Sequence, residues 1–316
     1  MKRGFLFAGQ GAQCVGMGLE LYEAFPESRE VFEKADRILG FSLSRLCFEG
    51  PIEELTLTNN CQPAILTASI AAFEAFKAVA RAKGADLRLD SGDCCAAGLS
   101  LGEYSALVAA GALGFEDAVE LVRLRGTYME EEASRRPGRM LSIIGLDLPA
   151  VREVCAKSGV EIANLNCPGQ TVISGGIKEI ETARSVAESL GARRALVLGV
   201  SGAFHSSYMS GASEKLAVAL EKVEVRAPFM EVISNVTASS ERSAQEIRVN
   251  LVKQVASSVL WEDSMRKLTQ AGVTDFVEFG PGKVLKGLMR RIAPEVRVAG
   301  SETPEEINVY FETVQA

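Results

Sequence analysis

Two features of this chain could together run covalent chemistry on an acyl group: a serine set between glycines and a single histidine. Gly98-Leu99-Ser100-Leu101-Gly102 has the Gly-x-Ser-x-Gly spacing of a sharp strand-to-helix turn, in which the flanking glycines let the backbone double back and project the serine hydroxyl. The pentapeptide alone recurs by chance, so its setting carries more weight. A short apolar run at 94–97 supplies a strand before it, and a small-residue stretch at 103–110 supplies a helix after it. Ser100 then stands at a helix N-terminus, where unpaired N–H groups favour a developing negative charge. The plainer alternative is a serine that only caps its helix.

A serine hydroxyl is a weak nucleophile at neutral pH and needs a base within hydrogen-bond reach. His205 is the only imidazole, so any Ser-His mechanism must use it. Its surroundings, Ser201-Gly202-Ala203-Phe204-His205-Ser206, form a small-residue loop suited to the edge of a site. A purely structural or surface histidine is the alternative.

The elements that must carry these residues follow from periodicity. An apolar run at 4–8 reads as a buried strand delivering the turn Gly9-Gln10-Gly11-Ala12-Gln13. Apolar residues three and four apart predict helices at 19–25, 28–39, 63–83 and 115–132, the last ending at the breaker Arg135-Arg136-Pro137-Gly138. Residues 140–198 then read strand, helix, strand, strand, helix, strand, with bounds 140–145, 149–157, 160–166, 171–174, 178–190 and 194–198. That order is the βαββαβ of a ferredoxin-like unit. Further buried strands are expected at 228–236 and 273–280. The expected fold is therefore α/β: a large domain, 1–136 and 199–316, with a parallel sheet core, interrupted by a ferredoxin-like subdomain at 137–198.

Bulk properties exclude several functions. A net charge of −7 argues against general nucleic-acid binding, which needs basic surface. Seven cysteines, odd in number and without metal-ligand spacing, suggest neither a disulfide framework nor a metal site, and point to a reducing cytoplasm. The apolar start is too short for a signal peptide, and the most hydrophobic long run, 63–79, is interrupted by Glu74 and Lys77, so no membrane span is expected. Nucleotide motifs fail: Gly9-Gln10-Gly11 has Cys14 where the dinucleotide fingerprint needs glycine, and Gly282-Lys283 is followed by Val284 instead of Ser or Thr. No cofactor is expected.

Taken together, Gly9-Gln10-Gly11-Ala12-Gln13, Gly98-Leu99-Ser100-Leu101-Gly102-Glu103-Tyr104 and Gly202-Ala203-Phe204-His205 resemble the three signatures of malonyl-CoA:acyl carrier protein transacylases. Arg123-Leu124-Arg125-Gly126, Asn164-Leu165-Asn166-Cys167-Pro168-Gly169-Gln170 and Glu278-Phe279-Gly280-Pro281-Gly282-Lys283-Val284-Leu285 extend the likeness, in family order, over almost the whole chain.

The resemblance implies an α/β-hydrolase-like large domain and a ping-pong acyl transfer from malonyl-CoA to the phosphopantetheine thiol of acyl carrier protein. Ser100 would be acylated and His205 would be its base, then the acid for the departing thiol. The backbone N–H groups of Gln10 and Leu101 would form the oxyanion hole, and Arg125 would hold the malonyl carboxylate. Gln254 falls where a backbone carbonyl orients the histidine, with Asn250 the weaker candidate for that place. For Arg125 the alternative from sequence is an ordinary surface arginine on a helix.

Two positions depart from the family pattern: Leu99 stands where histidine is usual, and Ala8 where proline commonly precedes the Gly-Gln-Gly turn. Leu99 is expected to change packing under the turn and leave the mechanism intact. Phe204 resembles the malonyl-selective form of its loop, in which a ring crowds an α-methyl branch. The carrier protein of the resembled system is acidic, so Lys283, Lys286, Arg290 and Arg291, spaced along one helix, are the expected docking cations, a solvated helix face being the alternative. A monomer with no nucleic-acid or membrane partner is expected. Two competing readings remain: a serine esterase or thioesterase, which needs an acid between Ser100 and His205 in chain order, and a silent scaffold that binds carrier protein.

Overall fold

A computed structural model describes residues 2–315. Among these, the strands are β1 (Lys2–Phe7), β2 (Cys94–Gly98), β3 (Gly138–Ile144), β4 (Glu161–Cys167), β5 (Gln170–Gly176), β6 (Arg194–Val197), β7 (Glu231–Ile233), β8 (Ser240–Glu241), β9 (Val273–Phe279) and β10 (Arg297–Gly300). They form two sheets. A six-stranded sheet runs β10-β9-β1-β2-β7-β8, parallel throughout except for the β7–β8 hairpin at one edge. A four-stranded antiparallel sheet runs β4-β5-β3-β6.

The central strands β1, β2 and β9 of the large sheet send apolar side chains into the cores on both faces, as parallel strands covered by helices must. Side chains of β1 alternate: Phe5 and Phe7 meet the long helix Thr58–Ala82, while Leu6 belongs to the opposite core with Trp261 and Met265. Phe7 stacks on Phe279 at 5.3 Å between centroids, and Phe73 meets both rings edge-on. Each such ring contributes about 1.5–3 kcal/mol by leaving water, so this cluster locks β1 to β9 and both to the helix above them.

That packing sets where chemistry can occur. Phe7 pairs in register with Gly98 on one side and Phe279 on the other, so three strands end at one level. Ala8 N–H donates to the Phe279 carbonyl at 3.0 Å and Leu99 N–H to the Phe7 carbonyl at 3.2 Å, which draws the turns after β1, β2 and β9 together. The carboxyl ends of parallel strands are where open α/β sheets bind ligands. The bond from Ala8 also gives its departure from proline a structural meaning, because proline has no N–H to donate.

The helix Thr58–Ala82 begins five residues before the predicted 63 and carries Pro63 inside it. Proline cannot satisfy the carbonyl one turn back, that of Asn59. Arg123 does so instead, its Nη1 lying 3.4 Å from Asn59 O. This helix is long and apolar enough to cross a bilayer, yet 83% of its apolar window is buried against the rest of the chain, which makes it a core helix. The helix Phe115–Arg135 packs beside it and stops at the predicted breaker.

Between β3 and β6 the element order is strand, helix, strand, strand, helix, strand, as predicted, with helices Leu148–Ser158 and Ile177–Ser189 on one face. Asp147 caps the first of these by accepting from Ala150 N–H at 3.0 Å. The predicted strand at 228–236 is shorter, only Glu231–Ile233, because the chain leaves the sheet at Ser234 and turns back into β8.

Candidate active site

Ser100 sits in the turn between β2 and the helix Gly102–Ala109, with φ 54°. That left-handed conformation costs a non-glycine residue about 1–2 kcal/mol and persists because the surroundings impose it. The two flanking positions admit only glycine: a Cβ on Gly98 would lie 1.9 Å from Gly102 C, and one on Gly102 would lie 2.1 Å from Phe7 O. Asn235, just beyond β7, completes the clamp. Its Oδ1 accepts the Ser100 N–H at 2.6 Å, and its Nδ2 donates to Gly98 O at 2.8 Å.

His205 also has positive φ, 58°. Its loop is tied down by the small sheet, where Ser174 Oγ donates to Phe204 O at 2.6 Å and Glu161 accepts from Ser207 N–H. The imidazole Nε2 lies 2.7 Å from Ser100 Oγ, and Nδ1 lies 2.8 Å from the backbone carbonyl of Gln254. A carbonyl can only accept, so Nδ1 carries the proton and Nε2 presents a lone pair to the serine hydroxyl. Burial, then the nearby Arg125 charge, pushes the His205 pKa down to about 4, against the opposing pull of its carbonyl partners. The ring is thus neutral at neutral pH and ready to take a proton.

Arg125, on the helix Phe115–Arg135, is 1% exposed. Its Nη2 donates to Ser100 Oγ at 3.1 Å and to Gln254 Oε1 at 3.0 Å, and its Nη1 donates to Gln62 Oε1 at 2.8 Å. The face of Tyr104 lies 5.5 Å from the guanidinium carbon. These partners orient the group without neutralising it, and among the described residues Nε has no hydrogen-bond partner. Burial and the neighbouring Glu241 push the Glu103 carboxyl well above the ordinary carboxylate range, which favours its neutral form. A buried cation with polar but uncharged partners is a strong receptor for a substrate carboxylate.

Ser100 and His205 face a cavity of about 170 Å³ bordered also by Gln10, Phe204, Met140 and Leu288. Drug-sized ligand pockets span about 300–1,000 Å³, so this one suits an acyl arm and its thioester better than a whole coenzyme. A larger hollow of about 590 Å³ around Arg45 and Arg123 has the hydroxyl of Ser42 on its wall but no imidazole to activate it. Among the described residues, neither the Gln10 nor the Leu101 N–H meets a protein acceptor; Gln10 borders the cavity and Leu101 directly follows Ser100.

The acyl transferase domain family matches residues 4–311. A malonyl CoA-acyl carrier protein transacylase of Bacillus subtilis is 46% identical over 99% of this chain and 98% of its own length, and one of Escherichia coli is 38% identical over 98% of each. The chain belongs to the malonyl-CoA:acyl carrier protein transacylase family. Among solved members, an acyl-carrier-protein S-malonyltransferase of Bartonella henselae superposes with a TM-score of 0.94 at 39% identity over the full length of both chains. A malonyl-transacylase in complex with its type II polyketide-synthase acyl carrier protein gives 0.93 at 38%, covering 99% of this chain and all of that one. The mixed α/β architecture with its largely parallel sheet is the one these family structures share.

Within that family frame, Gln10, Ser100 and His205 border one cavity, Arg125 reaches it through its bond to Ser100 Oγ, Gln254 holds His205 from behind, and Leu101 follows Ser100 in the turn. One expectation needs correction. Asn250 does not reach the imidazole: its Nδ2 donates to Glu241 Oε1 at 3.0 Å, and the Nδ1 position is already taken by the Gln254 carbonyl. The four cations of the helix Val284–Ile292 and its N-cap are not equivalent. Lys283 pairs with Glu306 at 2.7 Å, and Arg291 binds Gln170 and the Pro168 carbonyl in the small sheet, so both are already engaged. Lys286 and Arg290 have no ion-pair partner among the described residues. Leu99 lines the cavity beside Ser100 as well as packing on the lower core, so its substitution alters the wall that substrate meets.

Sequence reasoning missed Gln62 and Asn235. Each is a fully or nearly fully buried amide, one in the first turns of an apolar helix and the other just after a short strand. A lone amide in such a run must be hydrogen-bonded, and that was the available signal.

Proposed function

We propose that this chain moves a malonyl group from malonyl-CoA to the phosphopantetheine thiol of an acyl carrier protein through a malonyl ester on Ser100. The observation that carries this is the placement of one hydroxyl oxygen 2.7 Å from a neutral imidazole nitrogen and 3.1 Å from a buried guanidinium. The imidazole makes the oxygen a nucleophile, and the guanidinium selects an acyl group that ends in a carboxylate.

In the first half-reaction, Arg125 binds the malonyl carboxylate and Ser100 Oγ attacks the thioester carbonyl as its proton passes to His205 Nε2. The oxyanion is met by the N–H groups of Gln10 and Leu101, each such donor typically contributing about 3–4 kcal/mol to the transition state. The C–S bond then breaks, and the thiol leaves with the proton from His205. In the second half, the carrier-protein thiol gives its proton to Nε2 and attacks the ester. Collapse returns the proton to Ser100 Oγ and releases malonyl-carrier protein. The cycle asks for no cofactor or metal beyond its thioester substrates. Phe204, 4% exposed at the cavity wall, restricts room beside the acyl α-carbon and supports malonyl over methylmalonyl.

The neutral His205 needs no buried acid, because the Gln254 carbonyl sets its tautomer. An esterase would require such an acid and would admit water freely. Lys286 and Arg290, beside the cavity-lining Val284 and Leu288, are the cations to which an acidic carrier protein would dock. In this reading the six-stranded layer is an α/β-hydrolase-like catalytic domain, residues 1–136 and 199–316. The four-stranded unit at 137–198 is a ferredoxin-like insertion, supported by its strand order β4-β5-β3-β6. A monomer in the cytoplasm completes the proposal.

Intact-mass spectrometry after brief incubation with malonyl-CoA alone tests it. A transacylase retains one malonyl adduct that disappears when holo-carrier protein is added. Steady hydrolysis without carrier protein would mean an esterase, and the absence of any adduct would mean a scaffold.

A further inference from the structure

The reaction sequence above leaves one fully buried acid without a task. Glu103, on the first turn of the helix after Ser100, is 0% exposed, and its Oε2 accepts from two donors: the Asn235 backbone N–H at 3.2 Å and Gln254 Nε2 at 2.5 Å. Those two residues are the ones that grip the nucleophile. Asn235 holds the Ser100 N–H and the Gly98 carbonyl, while Gln254 Nε2 donates to the Ser100 carbonyl at 2.9 Å and its own carbonyl holds His205. Gln254 Oε1 also receives Arg125. One carboxyl oxygen thus sits behind both clamps on Ser100.

We propose that Glu103 is a positioning residue for acyl transfer, its Oε2 tying Asn235 to Gln254 so that the Ser100 hydroxyl, the His205 ring and the Arg125 guanidinium keep a fixed mutual geometry. This rests on the reading of Ser100 as the acylated nucleophile. The task is mechanical and does not call for a negative charge. Burial and the neighbouring Glu241 favour the neutral acid, and because Oε2 already accepts two N–H donors, the proton belongs on Oε1, which has no donor among the described residues. A charged Glu103 would also pull on Arg125 and weaken its hold on a substrate carboxylate.

Reach and acceptor character should therefore matter, and ionisation should not. Glu103→Gln keeps the side-chain length and one oxygen for the two donors, whereas Glu103→Asp keeps the acid but withdraws the oxygen by a methylene. The measurements are kcat and KM for malonyl transfer over a range of pH, the rate of Ser100 labelling by a fluorophosphonate, and the melting temperature. Glu103→Gln is expected to stay within about threefold of wild type in kcat, with an unchanged acid limb. Glu103→Asp is expected to fold but lose roughly tenfold or more in kcat and in labelling rate, as misplaced reacting groups do, with malonyl-CoA KM within threefold. Should Glu103→Asp not fold, Gln254→Met removes the gripped amide while leaving Glu103 and the Gln254 carbonyl in place, and carries the same expectation for labelling.

The reverse order, with aspartate active and glutamine inactive, would overturn the proposal in favour of a required carboxyl group. Folded variants that all label Ser100 at the wild-type rate would overturn it in favour of a merely structural residue. Labelling does not depend on the acyl donor, so a wild type that labels at Ser100 yet transfers no malonyl would refute the malonyl reading and leave the positioning test standing.

Discussion

His205 donates its Nδ1–H to the backbone carbonyl of Gln254 at 2.8 Å, so the main chain fixes the ring's tautomer and no carboxylate is used for that purpose. A neutral partner orients the ring and raises its basicity too little to offset burial and the Arg125 charge. The imidazole remains neutral inside a buried, positively charged site, and that sets the first prediction.

Burial and Arg125 lower the His205 pKa to about 4. The base is active when neutral and is lost as pH falls through that value. Acylation of Ser100 by malonyl-CoA, followed by rapid quench, should be level from about pH 8 to pH 5.5 and reach half its plateau near pH 4, well below the ordinary histidine value of ~6.5. A half-point at or above 6.5 would mean that the ring is solvated or paired with an acid.

In the proposed mechanism Arg125 sets the acyl preference. Arg125→Ala should reduce kcat/KM for malonyl transfer by the about 2–5 kcal/mol that truncating a desolvated charge partner costs, roughly 30-fold or more, while acetyl-CoA becomes relatively better. Arg125→Lys should not rescue it, because an ammonium cannot serve Gln62, Gln254 and a carboxylate in one plane. An unchanged malonyl-to-acetyl ratio in either variant would remove Arg125 from acyl selection.

Asn235 holds the nucleophile turn at both ends, accepting from Ser100 N–H and donating to Gly98 O. Asn235→Ala leaves two buried backbone groups unpaired, which costs about 1–3 kcal/mol for each group. Urea unfolding should show that loss in its midpoint, and the surviving folded enzyme should label more slowly at Ser100. A variant as stable and as reactive as wild type would contradict the clamp.

Lys286 and Arg290 are the cations left for a partner. Charge reversal of both should raise the KM for carrier protein at low salt, fade as ionic strength rises, and leave malonyl-CoA loading unaltered. The same reversal at Lys283, already paired with Glu306, should do less. Equal carrier-protein KM in the double variant and wild type would dismiss this helix as the docking face.

The sequence carried the reactive pair because their residue types are rare in this context. One histidine and one glycine-bracketed serine leave little choice of partner, and the strand-turn-helix pattern around Ser100 is written in small residues that only a close turn requires. The βαββαβ order was legible because its periodicities alternate cleanly and its helices start and stop at strong signals such as Asp147 and Gly159. Gln62, Glu103 and Asn235 were less visible. Each is one polar residue whose partners lie 63, 151 and 135 positions away, and separations of that kind are settled by sheet order and helix packing, which local pattern does not encode. The same limit explains Asn250 and Arg291. Sequence placed them near the site, and the fold gave them to Glu241 and to the small sheet.

The central claim is that the neutral imidazole at 205 makes the hydroxyl at 100 reactive. The most direct measurement is the single-turnover rate at which malonyl-CoA modifies that serine, followed by quenched-flow peptide mass spectrometry in wild type and His205→Ala. Wild type should form one malonyl ester, located on the peptide that contains Ser100, and the variant should form it roughly 10³-fold more slowly or worse. Equal rates in the two proteins, or an adduct mapped to any other residue, would contradict the account.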